Sequence, residues 1–234
     1  MLKNRLILAL TVNDGQLCRT KRFVPDRTYS LDFVDLDGAD ELVVLDVTPS
    51  GRSDKFIGVV EKLSAELFLP LAVGGHVHDW SYARDLMNAG ADKIVLGHGA
   101  LSDRSLMQAL ERKLGAACLV AGVEDYWWGD GCPAYNIELC GEILVQSVAR
   151  DGSLQGYDLE LIGCAEKLID RPIVAMSGCG TPAHMIEGFR WGASACATSN
   201  IFHFTKDHVA MFKSRIEAAG IPMRPMVEQI EIGG

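Results

Sequence analysis

No stretch of the 234 residues is apolar for long enough to cross a bilayer. The longest apolar runs, such as Leu42 to Leu45 and Phe68 to Val73, fall far short of the roughly twenty residues a spanning helix needs. Met1 to Leu10 carries only Lys3 and Arg5 ahead of a short strand-like run, and no small-residue cleavage site follows it, so no export signal is read there. The expectation is a cytoplasmic protein with no membrane contact. Seven cysteines, Cys18, Cys118, Cys132, Cys140, Cys164, Cys179 and Cys196, lack CxxC spacing and are odd in number, which argues against a disulfide framework and for reduced thiols. Positive charge is also short: 22 Lys and Arg against 31 Asp and Glu leave a net charge of -9. A nucleic-acid partner, which needs a basic face to displace counterions, is therefore not expected. A small anionic substrate remains open, because backbone amides hold phosphate whatever the net charge. Neither linker nor low-complexity tract interrupts the chain, so residues 1–234 are read as one domain.

What is present is an alternation of short β-rich runs with amphipathic stretches, the pattern of parallel strands joined by helical crossovers. Strands are expected at Arg5 to Thr11, Glu41 to Val47, Leu69 to Val73, Lys93 to Leu96, Cys118 to Val123, Glu142 to Ser147, Pro172 to Met176 and Ala193 to Thr198. Helix-spaced apolar residues fill Lys55 to Leu67, Asp79 to Asn88, Ser105 to Leu114, Asp158 to Ile169, Ala183 to Trp191 and Lys206 to Ala219. The fold class is α/β, a (β/α)8 TIM barrel. Asp125 to Gly141, with Trp127, Trp128, two glycines and a proline, leaves room for at most a short helix near Ala134 to Cys140, so the β5–α5 region is expected to be shortened.

Val73-Gly74-Gly75 in the first half has a weak echo in Met176-Ser177-Gly178-Cys179-Gly180 in the second. Glycines directly after apolar strands either let backbone amides approach a phosphate or simply make tight turns. Cys179 is read as a small turn residue, since no base is identified beside it.

Several segments in order resemble one family: Leu2-Lys3-Asn4-Arg5, Asn13-Asp14-Gly15, Ala39-Asp40-Glu41-Leu42-Val43, Ala72-Val73-Gly74-Gly75, His78-Asp79, Gly90-Ala91-Asp92-Lys93, Arg150-Asp151-Gly152, Gly156-Tyr157-Asp158 and Ile201-Phe202-His203-Phe204. Together they are similar to HisF, the cyclase subunit of imidazole glycerol phosphate synthase, nearly end to end. The resemblance implies a partner glutamine amidotransferase, a glutaminase akin to HisH, docked on the N-terminal barrel face. It also implies that ammonia crosses the barrel to a reaction centre at the C-terminal face. The positions matching the family's charged gate are Arg5, Glu41, Lys93 and Glu142. Each opens an expected strand, so inward pointing would bring Ile7, Ala9, Val43, Leu45, Val95, Gly97 and Leu144 into the lumen. Such a lining suits neutral ammonia. The same four charges also read as a salt-bridged plug of the barrel floor.

The resemblance departs at the chemistry. The family's two catalytic Asp positions are Thr11 and Glu124; a threonine is no general base near neutral pH, and the longer Glu displaces its carboxylate. His76 stands for a glycine, Gly97-His98 for Asn-Thr, and Ala149 for an Asp. His76 and His98, with Glu124, are the candidate substitutes; no metal and no cofactor is expected. For phosphate or substrate binding the resemblance points to Gly75, Gly152, Gly178, Gly180, Ser199 and Asn200, and to Arg19 at the position of a functional lysine. Arg19, Lys21, Arg22 and Arg27 would make a cationic lid, or only a solvated charge run. The expected function is a HisF-like subunit that conducts ammonia from a glutaminase to an acceptor, a phosphorylated or sugar-derived small molecule, in amidination of a sugar. The alternatives are a cyclase of histidine biosynthesis with substituted acid-base residues and a non-catalytic scaffold.

Overall fold

The computed structural model describes residues 3–31, 34, 36–125, 136–199 and 209–226. Its strands are β1 (Arg5–Asn13), β2 (Gln16–Lys21), β3 (Val24–Thr28), β4 (Glu41–Asp46), β5 (Leu71–Gly74), β6 (Lys93–Leu96), β7 (Leu119–Glu124), β8 (Glu142–Gln146), β9 (Ile173–Met176) and β10 (Ala195–Thr198). The helices are α1 (Phe56–Glu66), α2 (Trp80–Asn88), α3 (His98–Ser102), α4 (Arg104–Leu114), α5 (Leu159–Leu168), α6 (Pro182–Arg190) and α7 (Val209–Ala218). β1 and β4 through β10 pair in parallel and in sequence, and β10 pairs back with β1 to close the barrel. A lateral circuit that leaves β1 at Thr11 re-enters it eight residues earlier, which is the shear of a (β/α)8 barrel.

Closure buries both faces of every barrel strand, and two apolar sets result. Leu6, Leu8, Leu10 and Val12 of β1 face the helix layer, where Phe56, Val60 and Leu63 of α1 meet them at helical spacing. Ile7 and Ala9 face inward and join Val43, Leu45, Ala72, Val95, Val120, Leu144, Val174, Met176, Ala195 and Ala197 in a separate cluster that fills the lumen. Helix starts are fixed by side chains that satisfy free N–H groups: Asp79 for α2, Asp103 for α4, Asp158 for α5, and Thr181 ahead of Pro182 for α6.

Two features differ from the sequence expectation. The segment after β1 is an antiparallel hairpin, β2–β3, rather than a plain loop. Its two-residue turn is Arg22-Phe23, with φ of 53° and 58°, so both residues occupy the left-handed region that Asn-Gly or Asp-Gly normally signals. The five-residue α3 lies between β6 and α4. Of the region expected to be shortened, the described part holds one 3-10 turn, Ile137–Leu139, while Trp127 and Trp128 lie outside the described residues.

Candidate functional site

At the N-terminal end of the barrel, four strand-opening residues form a closed ring of ion pairs. Arg5 bonds Glu41 Oε2 at 2.7 Å and also bonds Glu142 Oε1; Lys93 Nζ bonds Glu41 Oε1 at 2.9 Å and Glu142 Oε2 at 3.0 Å. Each carboxylate thus takes one bond from each cation. Burial works to lower the Arg5 pKa, but the hydrogen bonds and charges of Glu142 and Glu41 outweigh it and hold the guanidinium above its ordinary value. Lys93 is the most exposed member, 22% by side chain against 5% for Glu41. Asp40, beside the ring in sequence, is no surface group: Lys213 Nζ of α7 bonds its Oδ1 at 2.7 Å with both side chains 3% exposed, and its Oδ2 accepts from Leu6 N.

Above the ring the lumen is apolar up to Ala9, Leu45, Met176 and Ala197, where Phe23 and Val47 pack onto it. Phe23 comes from the hairpin turn, so β2–β3 folds across the C-terminal mouth. The cause is Asp151, whose Oδ2 accepts from Phe23 N at 2.9 Å while its main-chain oxygen accepts from Arg22 N at 3.4 Å. Burial raises the Asp151 pKa, opposed by the bonds from Phe23 N and the Thr20 side chain.

Among the residues expected to do chemistry, Thr11 is buried and donates its hydroxyl to the Cys18 carbonyl at 2.6 Å, which ties it to the hairpin. Glu124 ends β7, half-buried, in register with buried Gln146 of β8. His98 opens α3 and is exposed. His76 follows Gly75 with φ 53°, and its Nε2 is buried without a hydrogen-bond partner. Among the described residues no group of three His, Cys, Asp or Glu side chains has the geometry to hold a metal ion. Asp125, which the sequence reading passed over, accepts from Ser147 Oγ at 2.8 Å and Ala149 N at 3.3 Å.

The glycines expected to cradle phosphate each lie, on the side a Cβ would occupy, against another segment of this chain. A Cβ on Gly75 would collide with the Asp46 backbone, on Gly152 with Thr20 O, on Gly178 with Gly156 O, and on Gly180 with Leu154 O. These positions are glycine because loops of this chain pack against them. A pocket opens at the ends of β9 and β10, walled by Ala9, Met176 and Ala197 of the lumen and by Asp151, Ser177, Cys179 and Thr198, and three of the expected phosphate-binding residues, Gly152, Gly178 and Ser199, also line it. Asn200 lies outside the described residues, as does the motif Ile201 to Phe204. Arg19 of β2 stands directly opposite Arg27 of β3, and burial, then the charge of Arg27, lowers its pKa. Cys179 is buried and its thiol is pushed up to about 11 by desolvation, so it is unfit as a nucleophile.

Residues 5–208 match the model of a family described as histidine biosynthesis protein. The chain is 35% identical over 250 residues to imidazole glycerol phosphate synthase subunit HisF of Gluconacetobacter diazotrophicus, covering 96% of this chain and 97% of that one. The same subunit is 31% identical in Pyrococcus furiosus and 30% identical in Thermococcus onnurineus, each over 96% of this chain and 99% of the relative.

Proposed function

Because the chain belongs to the HisF family of histidine-biosynthesis proteins, we propose that it is the barrel subunit of a glutamine-dependent nitrogen-transfer complex. It takes ammonia from a glutaminase at the N-terminal face and delivers it through the lumen to an acceptor at the opposite mouth. The single observation that carries this reading is the charged ring on an otherwise apolar tube. A lumen lined by Ile7, Val43, Val95 and Leu144 offers ammonium nothing in exchange for its hydration, while neutral ammonia crosses at small cost. The ring joins Lys93, its most exposed member, to two carboxylates that Arg5 also holds. Lys93 can therefore swing away without leaving either carboxylate unpaired. The acceptor is a phosphorylated or sugar-derived small molecule, and amidination of a sugar is the reading consistent with Thr11 at the position of the family's first catalytic Asp.

The test is coupling. In the complex with its glutaminase, Lys93→Met should still assemble, yet glutamine-driven transfer should fall relative to transfer driven by added ammonium. Equal loss of both would make the ring a structural plug and remove the conduit.

A second reading has its own support, since the HisF relatives named above are subunits of imidazole glycerol phosphate synthase and Glu124 still presents a carboxylate at the mouth. Ammonium-driven cyclase turnover that is lost in Glu124→Gln would establish it in place of the first.

A further inference from the structure

We propose that Asp40 and Lys213 are positioning residues for the charged ring, holding its Arg5 and Glu41 half in place while Lys93 moves; the proposal rests on the ammonia-conducting reading above. Lys213 Nζ bonds Asp40 Oδ1 at 2.7 Å with both side chains 3% exposed, and it also donates to the Arg224 main-chain oxygen at 3.3 Å. The other Asp40 oxygen accepts from Leu6 N at 2.7 Å, while Asp40 N donates to Leu6 O at 2.9 Å. Both main-chain groups of the residue after Arg5 are thus taken by the residue before Glu41. On the other side of Arg5, Asn4 N donates to Pro222 O at 3.1 Å and Arg224 N donates to Asn4 O at 2.9 Å. Lys213 ties these two clamps together, so one buried ammonium braces the chain on both sides of the ring's arginine.

Stability alone does not account for the pair. A buried ion pair gains little over apolar side chains of the same size, because both charges give up their water. A second clamp in the same barrel shows what the lysine adds. Asp92, the residue before Lys93, holds Leu71 in the same pattern: its Oδ2 accepts from Leu71 N at 2.8 Å and its N donates to Leu71 O at 2.8 Å. Asp92 is exposed, however, and among the described residues no cation crosses to it. The two halves of the ring therefore differ in support, braced beside Arg5 and Glu41 and open beside Lys93. That asymmetry is what a gate needs. Arg5 bonds both carboxylates, so they remain paired when Lys93 leaves only if Arg5 and Glu41 keep their places. The buried pair, out of the lumen and out of solvent, keeps them there.

Lys213→Met alone leaves a buried carboxylate without its cation, so the variant to use is Asp40→Asn, Lys213→Met, which buries no unpaired charge. Hydrogen exchange of the full chain, followed by NMR, should show the Leu6 amide exchanging about tenfold faster than in wild type, the scale of one hydrogen bond. The Leu71 amide, clamped by Asp92, should exchange as before. In the complex with its glutaminase, glutamine-driven transfer should fall several-fold relative to transfer driven by added ammonium. A merely structural pair predicts a lower melting temperature with that ratio unchanged, and this result overturns the proposal. Unchanged exchange at Leu6 overturns it as well, since other contacts would then hold the chain beside Arg5. The conduit reading falls separately, when Lys93→Met loses both kinds of transfer equally. Exchange at Leu6 is read without any transfer assay, so the two failures are told apart.

Discussion

The main-chain N–H of Phe23 donates to Asp151 Oδ2 at 2.9 Å, joining residues 128 apart in sequence and fixing the hairpin across the barrel mouth. A turn with two non-glycine residues at positive φ is costly on its own. Here the bonds from Phe23 N and Arg22 N to Asp151 and the packing of Phe23 on the lumen cluster offset that cost. The hairpin is thus closed by one carboxylate and one aromatic ring, and each gives a separate prediction.

Asp151→Ala should release the hairpin. It leaves the part-buried Phe23 amide without its acceptor, a loss of about 1 kcal/mol, toward the low end of the range for a buried donor. Hydrogen exchange should show the amides of Phe23 and Arg22 losing protection while the amides of β5 to β8 keep theirs. Retained protection at Phe23 would mean the hairpin is held by something else.

Asp151→Asn separates charge from hydrogen bonding, because an amide oxygen still accepts from Phe23 N. Burial raises the Asp151 pKa in the folded state, so the fold binds this proton more readily than the unfolded chain does. The ionised group therefore works against stability, and its contribution falls as pH rises from the ordinary carboxylate range through the raised value. Wild type minus Asn variant, measured by denaturant unfolding across that window, should decline with rising pH. Asp14, Asp79 and Asp103, whose pKa values are lowered by hydrogen bonds from Lys55, Ser81 and Ser105 respectively, slope the other way and cancel in the difference.

Phe23→Ala should leave the fold intact but unseal the lumen. The ring is partly buried against the lumen cluster, so its truncation costs less than the roughly 3–5 kcal/mol of a fully buried aromatic. Glutamine-derived ammonia should then escape to solvent, read as a rise in free ammonium per glutamate formed. An unchanged ratio would show that the hairpin does not seal the exit.

The barrel was legible because its strands carry two apolar faces and four of them start on charged residues. Arg5, Glu41, Lys93 and Glu142 each interrupt an apolar pattern at the same point of a strand, and period-two alternation then sorts the lumen from the helix layer. The hairpin was not legible, since Arg22-Phe23 lacks the glycine or asparagine that marks a two-residue turn and its compensation comes from Asp151, far away in sequence. Ser177 was illegible for a similar reason: it holds φ 82°, where backbone geometry favours glycine, so spacing alone does not mark it. The glycine-rich turns after β5 and β9 were visible, but whether a ligand or a neighbouring loop fills the space beside them depends on packing that sequence spacing does not encode.

Restoring an aspartate at position 11 should not restore two-carboxylate chemistry. Thr11 Oγ1 is a donor, 2.6 Å from the Cys18 carbonyl, and an ionised Asp there would set carboxylate oxygens against that carbonyl with no proton between them. Two outcomes relieve the conflict: the carboxyl keeps its proton, which removes its value as a base, or the β1–β2 pairing at Thr11 and Cys18 opens and the hairpin lifts. Thr11→Asp is therefore expected to lower stability and to gain no cyclase turnover, although a working acid-base group is typically worth about 10² to 10⁴ in rate. Thr11→Asp combined with Asp151→Ala, which frees the hairpin, isolates the cause. Turnover in the double variant but not in either single one would place the block in the hairpin contact. Turnover in Thr11→Asp alone would show that the mouth tolerates the second carboxylate as it stands, and the barrel would then differ from its cyclase relatives at this step by one side chain.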